Sequence, residues 1–127
     1  KQLKDARLKL AALSNGSPDM LNAAVSHAGL DGLLDANLSV DDLGIYKPHP
    51  DVYQLAVDHL EVPAGQIAYV SSNAWDAAAA AHFGFRVAWC NRYRQPPEHL
   101  PGRPEAQIER LDALLPLLGL SAVGADA

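Results

Sequence analysis

Residues 67–90 read I-A-Y-V-S-S-N-A-W-D-A-A-A-A-A-H-F-G-F-R-V-A-W-C, and this stretch decides the fold class. The apolar runs at 67–71 and 86–90 have the length and composition of buried strands. The alanine-rich segment 74–83 between them predicts a helix, because alanine has the highest helix propensity, and Gly84 is typical of a helix end. A strand, a helix and a strand in this order predict two parallel strands joined by a crossover helix.

The segments on either side continue the same alternation. The further predicted elements are a short helix ending near Arg7, a strand at 8–14, a helix at 18–28 capped by Ser17, a short strand around 37–40, a proline-broken loop at 46–50, a helix at 51–60, a loop at 91–104 and a helix at 105–118. We therefore predict an α/β protein with a parallel sheet and helices on both faces. Residues 1–120 would form this fold, and residues 121–127 would be a disordered tail.

The composition argues against several classes of protein. The 127 residues are 49% apolar and 20% charged, which is typical of a globular domain. The formal net charge of −5 argues against nucleic acid and anionic membranes as partners. No apolar run approaches the roughly 20 residues of a membrane-spanning helix. Cys90 is the single cysteine, so no internal disulfide can form, and we expect a cytoplasmic location.

Small polar side chains and one lysine gather near the carboxyl ends of the predicted strands. They are Ser14 and Asn15 after the first strand, Lys47 before a helix, and Ser71, Asn73 and Asp76 after the third strand. Because ligands of parallel α/β sheets bind at the carboxyl ends of the strands, we expect these groups to share one rim. Neutral donors and helix N-termini can hold a small anion there, with Lys47 as the fixed cation.

Each of these groups also has a purely structural interpretation. Ser72 or Asn73 could cap the helix at 74–83, and Asp76 could interact with the dipole of that helix. Lys47 could be a solvated surface lysine. The local pattern leaves these interpretations open, but one helix cap does not explain why three separate segments carry such groups.

Motifs of several other chemistries are absent from the sequence. There is no G-x-G-x-x-G, no Walker loop, no C-x-x-C, no H-E-x-x-H and no G-x-S-x-G. The five histidines are scattered and none has metal-ligand spacing. We therefore predict no bound metal and no cofactor.

Three motifs together resemble one enzyme family. L-S-N-G-S at 13–17, Y-K-P-H-P-D-V-Y at 46–53 and V-S-S-N-A-W-D at 70–76 closely resemble the L-2-haloacid dehalogenases of the haloacid dehalogenase superfamily. The segments A-A-V-S-H-A-G-L at 23–30 and F-G-F at 83–85 are also similar to that family. The resemblance runs from about Leu8 to Arg92 and implies a Rossmann-like, three-layer α/β/α core.

The resemblance implies a metal-independent hydrolase with a covalent intermediate. A carboxylate attacks the halogen-bearing carbon of a 2-haloalkanoic acid with inversion, and water then hydrolyses the aspartyl ester to give a 2-hydroxy acid. The implied substrate-binding residues are Ser14 for the substrate carboxylate, Asn15 for the leaving halide, and Tyr53. Trp75 is of a type that is typical of packing residues, but its position near the rim makes it a candidate pocket-lining, substrate-binding side chain.

The implied catalytic residues are Lys47, Ser71, Asn73 and Asp76. Lys47 would pair with the nucleophilic aspartate and the developing charge. The other three, with Tyr53, would order the lysine and the hydrolytic water. Displacing halide from a carboxylate-bearing substrate requires oriented dipoles and one cation, which agrees with this set.

The chain departs from the family in one respect. The nucleophilic aspartate of the family lies near the N-terminus in a D-x-Y/F-G-T-type motif, which this sequence lacks, and the helical cap is absent too. Asp5, Asp19, Asp35 and Asp41 stand in the wrong context to replace that nucleophile. We therefore expect these residues to be the C-terminal part of the core domain, inactive alone and partnered by the missing N-terminal segment. Related enzymes often dimerise, so a homodimer is possible.

Two alternatives differ in class. A phosphatase of the same superfamily would bind Mg²⁺ through two acids, as in G-D-x-x-x-D, but Ser72 stands where the first acid would be. A non-catalytic fragment or binding module is the other alternative, and activity restored by an added N-terminal segment would separate it from an enzyme fragment.

Overall fold

The computed structural model of the protein describes residues 1–120, which fall into two compact units. The first unit is Lys1–Glu61, and the second begins at Val62. Every strand pair in the described residues is parallel, as an α/β fold requires. The predicted tail at 121–127 lies outside the described residues.

The first unit holds a two-stranded sheet of β1 (Ala11–Ser14) and β2 (Ala36–Ser39), whose register runs from Ala11 opposite Ala36 to Ser14 opposite Ser39. The strands and helices predicted in this unit are confirmed, with small shifts at their ends. The elements are α1 (Gln2–Asp5), β1 (Ala11–Ser14), α2 (Pro18–His27), β2 (Ala36–Ser39) and α3 (Pro50–Leu60).

Both long helices of the first unit begin at a local cap. The hydroxyl Oγ of Ser17 accepts a hydrogen bond from the backbone N–H of Met20 at 3.3 Å, as predicted. The imidazole Nδ1 of His49 accepts one from the backbone N–H of Asp51 at 3.1 Å. A proline follows each cap at the first helical position, where its missing N–H costs nothing.

The second unit holds a three-stranded sheet of β3 (Ala68–Ser71), β4 (Arg86–Cys90) and β5 (Ala106–Ile108), in the order β3-β4-β5. Residues 87–90 of the central strand are all buried, which is why that strand reads as a continuous apolar run. The helix at 74–83 and the strand at 86–90 have the predicted bounds. The elements are β3 (Ala68–Ser71), α4 (Ala74–Phe83), β4 (Arg86–Cys90), β5 (Ala106–Ile108) and α5 (Leu114–Leu117).

The helix predicted at 105–118 is wrong. Residues Ala106–Ile108 form β5, and only a 3₁₀ turn at Leu111–Ala113 and the short α5 follow. The N–H of Glu105 donates to Val87 O at 2.9 Å, and Ile108 O accepts from the N–H of Asn91 at 2.6 Å. The hydrophobic spacing of this segment suits a helix, but the open edge of β4 requires backbone partners, and pairing with that edge prevails.

The loop at 91–105 is held by hydrogen bonds within itself near its start and packs against α4 near its end. The buried side chain of Asn91 donates to Gln95 O and accepts from Gln95 N, both at 2.8 Å. Further along, Gly102 lies against the backbone of α4, so close that an added Cβ would stand 2.6 Å from His82 N. Among residues 1–120, no helix combines the length and the apolar composition that crossing a membrane demands.

Candidate active site

The first cluster of predicted site residues forms around the turn that follows β1. The Oγ of Ser14 accepts a hydrogen bond from Gly16 N at 2.9 Å, and the hydroxyl of Ser39 donates to Gly16 O at 2.6 Å. The N–H of Val40 donates to Ser14 O at 3.2 Å. These bonds engage the N–H and the C=O of Gly16 and the C=O of Ser14. The backbone conformation of the turn that carries Ser14 and Asn15 is therefore fixed by hydrogen bonds.

Asn15 joins this turn to the loop that carries Lys47. Its side-chain oxygen Oδ1 accepts a hydrogen bond from the backbone N–H of Lys47 at 2.9 Å. With that oxygen engaged, the group that Asn15 presents as a donor is its amide nitrogen, which suits an anion. The side chain of Lys47 is half-buried, and the Lys47–Pro48 peptide bond is cis. Two motifs that lie about thirty residues apart in the sequence therefore meet in one unit.

Tyr53 lies on α3 of the same unit. It is 0% exposed and is among the largest fully buried side chains of the described residues. The ring is therefore a core side chain of this unit, and its predicted contact with substrate stays a prediction.

The second cluster follows β3. The Oγ of the buried Ser71 accepts a hydrogen bond from Asn73 N at 3.1 Å. Asn73 occupies the N-cap position of α4, but its side chain makes no capping hydrogen bond, and Ser72 is not the N-cap. The indole N–H of Trp89 donates to Ser72 O at 3.2 Å. A helix cap therefore does not account for the polar side chains of this turn.

Asp76 is the most deeply buried of the predicted catalytic residues, with 2% of its surface exposed. The hydroxyl of Tyr69 lies 3.1 Å from its Oδ1 and 2.9 Å from its Oδ2. A buried carboxylate is costly unless hydrogen bonds replace water, and the phenol supplies such a bond. Trp75, the neighbouring predicted substrate-binding residue, is half-buried.

Sequence reasoning missed Tyr69. The available signal was the alternation of side chains along a strand, which puts Tyr69 on the same face of β3 as Ser71. The sequence shows that shared face, but not that the first turn of α4 brings Asp76 to it.

The structure thus assembles Ser14, Asn15 and Lys47 in the first unit, and Ser71, Asn73 and Asp76 in the second. That all of them share a single rim stays a prediction. Within residues 1–120, no three His, Cys, Asp or Glu side chains are grouped so that they could hold a metal ion.

Ion pairs between side chains alter the acidity of two charged groups outside these clusters. The ammonium of Lys4 donates to Asp35 Oδ1 at 2.6 Å and the N–H of Leu10 to Oδ2 at 2.7 Å, and these bonds lower the pKa of Asp35 below its ordinary value. The carboxylate of Glu105, 3.2 Å from the guanidinium of Arg86, raises the pKa of that arginine. The first pair secures the start of β1, and the second joins β4 to the residue before β5.

An open pocket of about 410 Å³ lies beside the ends of β4 and β5. It is lined by Arg92, Glu109, Arg110, Leu111 and Asp112. Three of its charged side chains form ion pairs: Arg110 lies 3.0 Å from Asp112, and Glu109 lies 3.0 Å from Arg94, which is not a lining residue. None of the predicted site residues lines it.

Comparison with known proteins gives one consistent result. A family model described as haloacid dehalogenase-like hydrolase matches residues 1–84. The (S)-2-haloacid dehalogenase 4A of Burkholderia cepacia is 46% identical over 117 residues, which cover 92% of this chain. The (S)-2-haloacid dehalogenase of Pseudomonas sp. (strain YL) is 44% identical over 122 residues, which cover 96% of this chain.

Solved structures agree with the sequence matches. The L-2-haloacid dehalogenase of Xanthobacter autotrophicus with chloropropionic acid covalently bound superposes with a TM-score of 0.87 at 35% identity, covering 93% of this chain and 57% of that one. The matches cover 51% of the Burkholderia enzyme and 53% of the Pseudomonas enzyme. This chain therefore spans about half the length of the curated relatives it matches.

Proposed function

Because this chain belongs to the haloacid dehalogenase-like hydrolases, with strong homology to the L-2-haloacid dehalogenases, we propose that the complete protein hydrolyses L-2-haloalkanoic acids to 2-hydroxy acids. The observation that carries the proposal is the hydrogen bond from Lys47 N to Asn15 Oδ1 at 2.9 Å. It joins two motifs of the family in one cluster, so that a lysine-bearing loop adjoins neutral anion-binding donors.

The proposed reaction has two covalent steps. An aspartate carboxylate oxygen attacks C2 of the substrate, the C–O bond forms, and the halide leaves with the electrons of the C–X bond. Water then adds to the ester carbonyl and releases the 2-hydroxy acid, which restores the carboxylate. The covalently bound chloropropionic acid in the Xanthobacter enzyme supports a mechanism of this kind.

We assign the nucleophile to a segment outside these residues. The four aspartates considered for the role, Asp5, Asp19, Asp35 and Asp41, do not stand in a D-x-Y/F-G-T-type motif such as the one that carries the nucleophile in the family. Residues 1–120 would then be the C-terminal portion of the core domain, and the chain alone would be inactive. Its location in the cytoplasm and a homodimeric state belong to the same proposal.

The first cluster would bind the charged ends of the substrate. Ser14 is suited to the substrate carboxylate, and the amide nitrogen of Asn15 is suited to the departing halide, because neutral donors stabilise anions without adding charge. Lys47 would supply the cation that offsets the charge developing as the halide leaves. Tyr53 would support this cluster from the core.

The second cluster would serve the hydrolytic step. The buried carboxylate of Asp76 can accept a hydrogen bond from a water molecule and orient it toward the ester. Ser71 and Asn73 provide further polar groups on the same turn, and Trp75 would line the pocket for the substrate carbon chain. The reaction would proceed without a metal, because Asp76 alone is a poor ligand set for Mg²⁺.

The test is halide release from L-2-chloropropionate in the presence of EDTA. We would assay the 127-residue chain alone and a protein extended at its N-terminus to the length of the dehalogenase relatives. The proposal expects release by the extended protein only. Release by this chain alone would refute the assignment of the nucleophile. Phosphate release that requires Mg²⁺, without halide release, would replace the proposal by the phosphatase.

A further inference from the structure

Tyr69 makes a contact that the proposed function does not use. Its phenol oxygen lies 2.9 and 3.1 Å from the two oxygens of the Asp76 carboxylate. Tyr69 lies on β3 and Asp76 in the first turn of α4, so the contact spans the turn that holds Ser71 and Asn73. A phenol has one proton, and at nearly equal distances the two oxygens share it. Such a bond restrains the carboxylate against rotation about its last side-chain bond.

The ring of Tyr69 is itself held in place. Its centroid lies 5.4 Å from that of Phe85, and the ring of Phe83 meets Phe85 edge-on at 5.2 Å. These are favourable separations for aromatic pairs. Phe85 is buried, and the ring of Tyr69 packs against it. This packing restrains the ring, and with it the position of the hydroxyl that contacts Asp76.

We infer that Tyr69 is a positioning residue, which fixes the Asp76 carboxylate in the orientation that directs water at the ester intermediate. The inference rests on the proposed function. It makes a specific kinetic claim, because the proposed function places Asp76 in the hydrolysis of the ester and not in the displacement of halide. Losing the phenol should slow ester hydrolysis and leave the formation of the ester intact.

The experiment uses the extended protein and four variants. Tyr69→Phe removes the hydroxyl and keeps the ring, and Tyr93→Phe is the matched control, because Tyr93 is 83% exposed in the same unit. Asp76→Asn, alone and with Tyr69→Phe, tests whether the phenol acts through this carboxylate. Single-turnover reactions would follow halide release and, by intact mass, the appearance and decay of the ester.

For Tyr69→Phe we expect the ester to decay about tenfold more slowly, the effect of losing a hydrogen bond to a charged group. Halide should still be released in a burst of one equivalent, with kcat and KM falling together and kcat/KM nearly unchanged. Tyr93→Phe should match the unaltered protein. In the Asp76→Asn background, Tyr69→Phe should add less than about a twofold effect, because the coupling partner is gone.

Three results would overturn the inference. They are an unchanged rate of ester decay in Tyr69→Phe, an equal loss in both chemical steps, and a full additional effect in the Asp76→Asn background. Absence of halide release by the unsubstituted extended protein would instead refute the proposed function, and the inference with it.

Discussion

Replacing Gly102 by alanine should destabilise the second unit. The loss should be larger than for the same substitution at a glycine whose surroundings are open. Gly102 has φ +89°, a left-handed backbone conformation that residues other than glycine rarely adopt. A Cβ at this position would clash with Ala78 O and would stand 2.6 Å from His82 N and 2.8 Å from His82 Cβ. Two of these atoms belong to the backbone of α4, which cannot move aside as a flexible side chain could.

The expected cost has two parts. The left-handed backbone costs an alanine about 1–2 kcal/mol. The overlap with α4 adds about 1–3 kcal/mol, the usual penalty for forcing extra carbon into a packed interior. We therefore expect Gly102→Ala to lower the free energy of unfolding by about 2–5 kcal/mol.

Gly119→Ala separates the two parts. Gly119 has φ +75°, and within residues 1–120 no atom beyond its immediate chain neighbours lies within 4 Å of an added Cβ, so this variant has the backbone cost without the overlap. Both tryptophans, Trp75 and Trp89, lie in the second unit, so their fluorescence during urea unfolding reports on both variants. If Gly102→Ala costs no more than Gly119→Ala, the loop does not press on α4 and the reasoning fails.

Three further predictions concern the first unit. Lys47→Met in the extended protein should lower the rate of halide release by about 10²–10³-fold, because it removes the cation opposite the leaving group, and an equal loss in Lys1→Met would contradict this. Asp35→Asn should destabilise the protein at neutral pH but not in acid. The pKa of Asp35 is lowered in the folded protein, so this carboxylate contributes fully to the free energy of unfolding above the pKa of the unfolded chain, and the contribution is lost as pH falls below about 4. Urea unfolding at pH 7 and at pH 3 measures this, and an equal loss of stability in Asp35→Asn at both pH values would count against the prediction. Ser17→Ala should cost about 1 kcal/mol by loss of the α2 cap, measured by far-ultraviolet circular dichroism in urea, and Ser17→Gly should cost less.

The elements best predicted from the sequence are those whose ends have local chemical causes. Ser17 and Pro18 start α2, and Gly84 ends α4, through groups within a few residues of each other. Such signals act before any tertiary contact forms, so they are readable in the chain itself. The identity of the residues in the two polar clusters is likewise predictable, because each motif that contains them is contiguous in the sequence.

The C-terminal segment shows the limit of local pattern. The apolar side chains of this segment have the spacing of a helix face, at Ile108, Leu111, Leu114 and Leu115. Ala106–Ile108 nevertheless pair with β4. A free strand edge is a property of the sheet and not of the segment that covers it. The same limit hid the contact of Gly102 with α4, since nothing near Gly102 in the sequence announces a neighbour twenty residues away.

The sequence by itself determined the α/β class, the starts of the long helices and the identity of the polar residues, because propensity, capping and motif spacing are local. Tertiary structure alone decided that Asn15 would bind the backbone of Lys47 and that the phenol of Tyr69 would straddle the carboxylate of Asp76. The physical reason is that a hydrogen bond depends on distances of a few tenths of an ångström. Only the packing of strands against helices sets those distances.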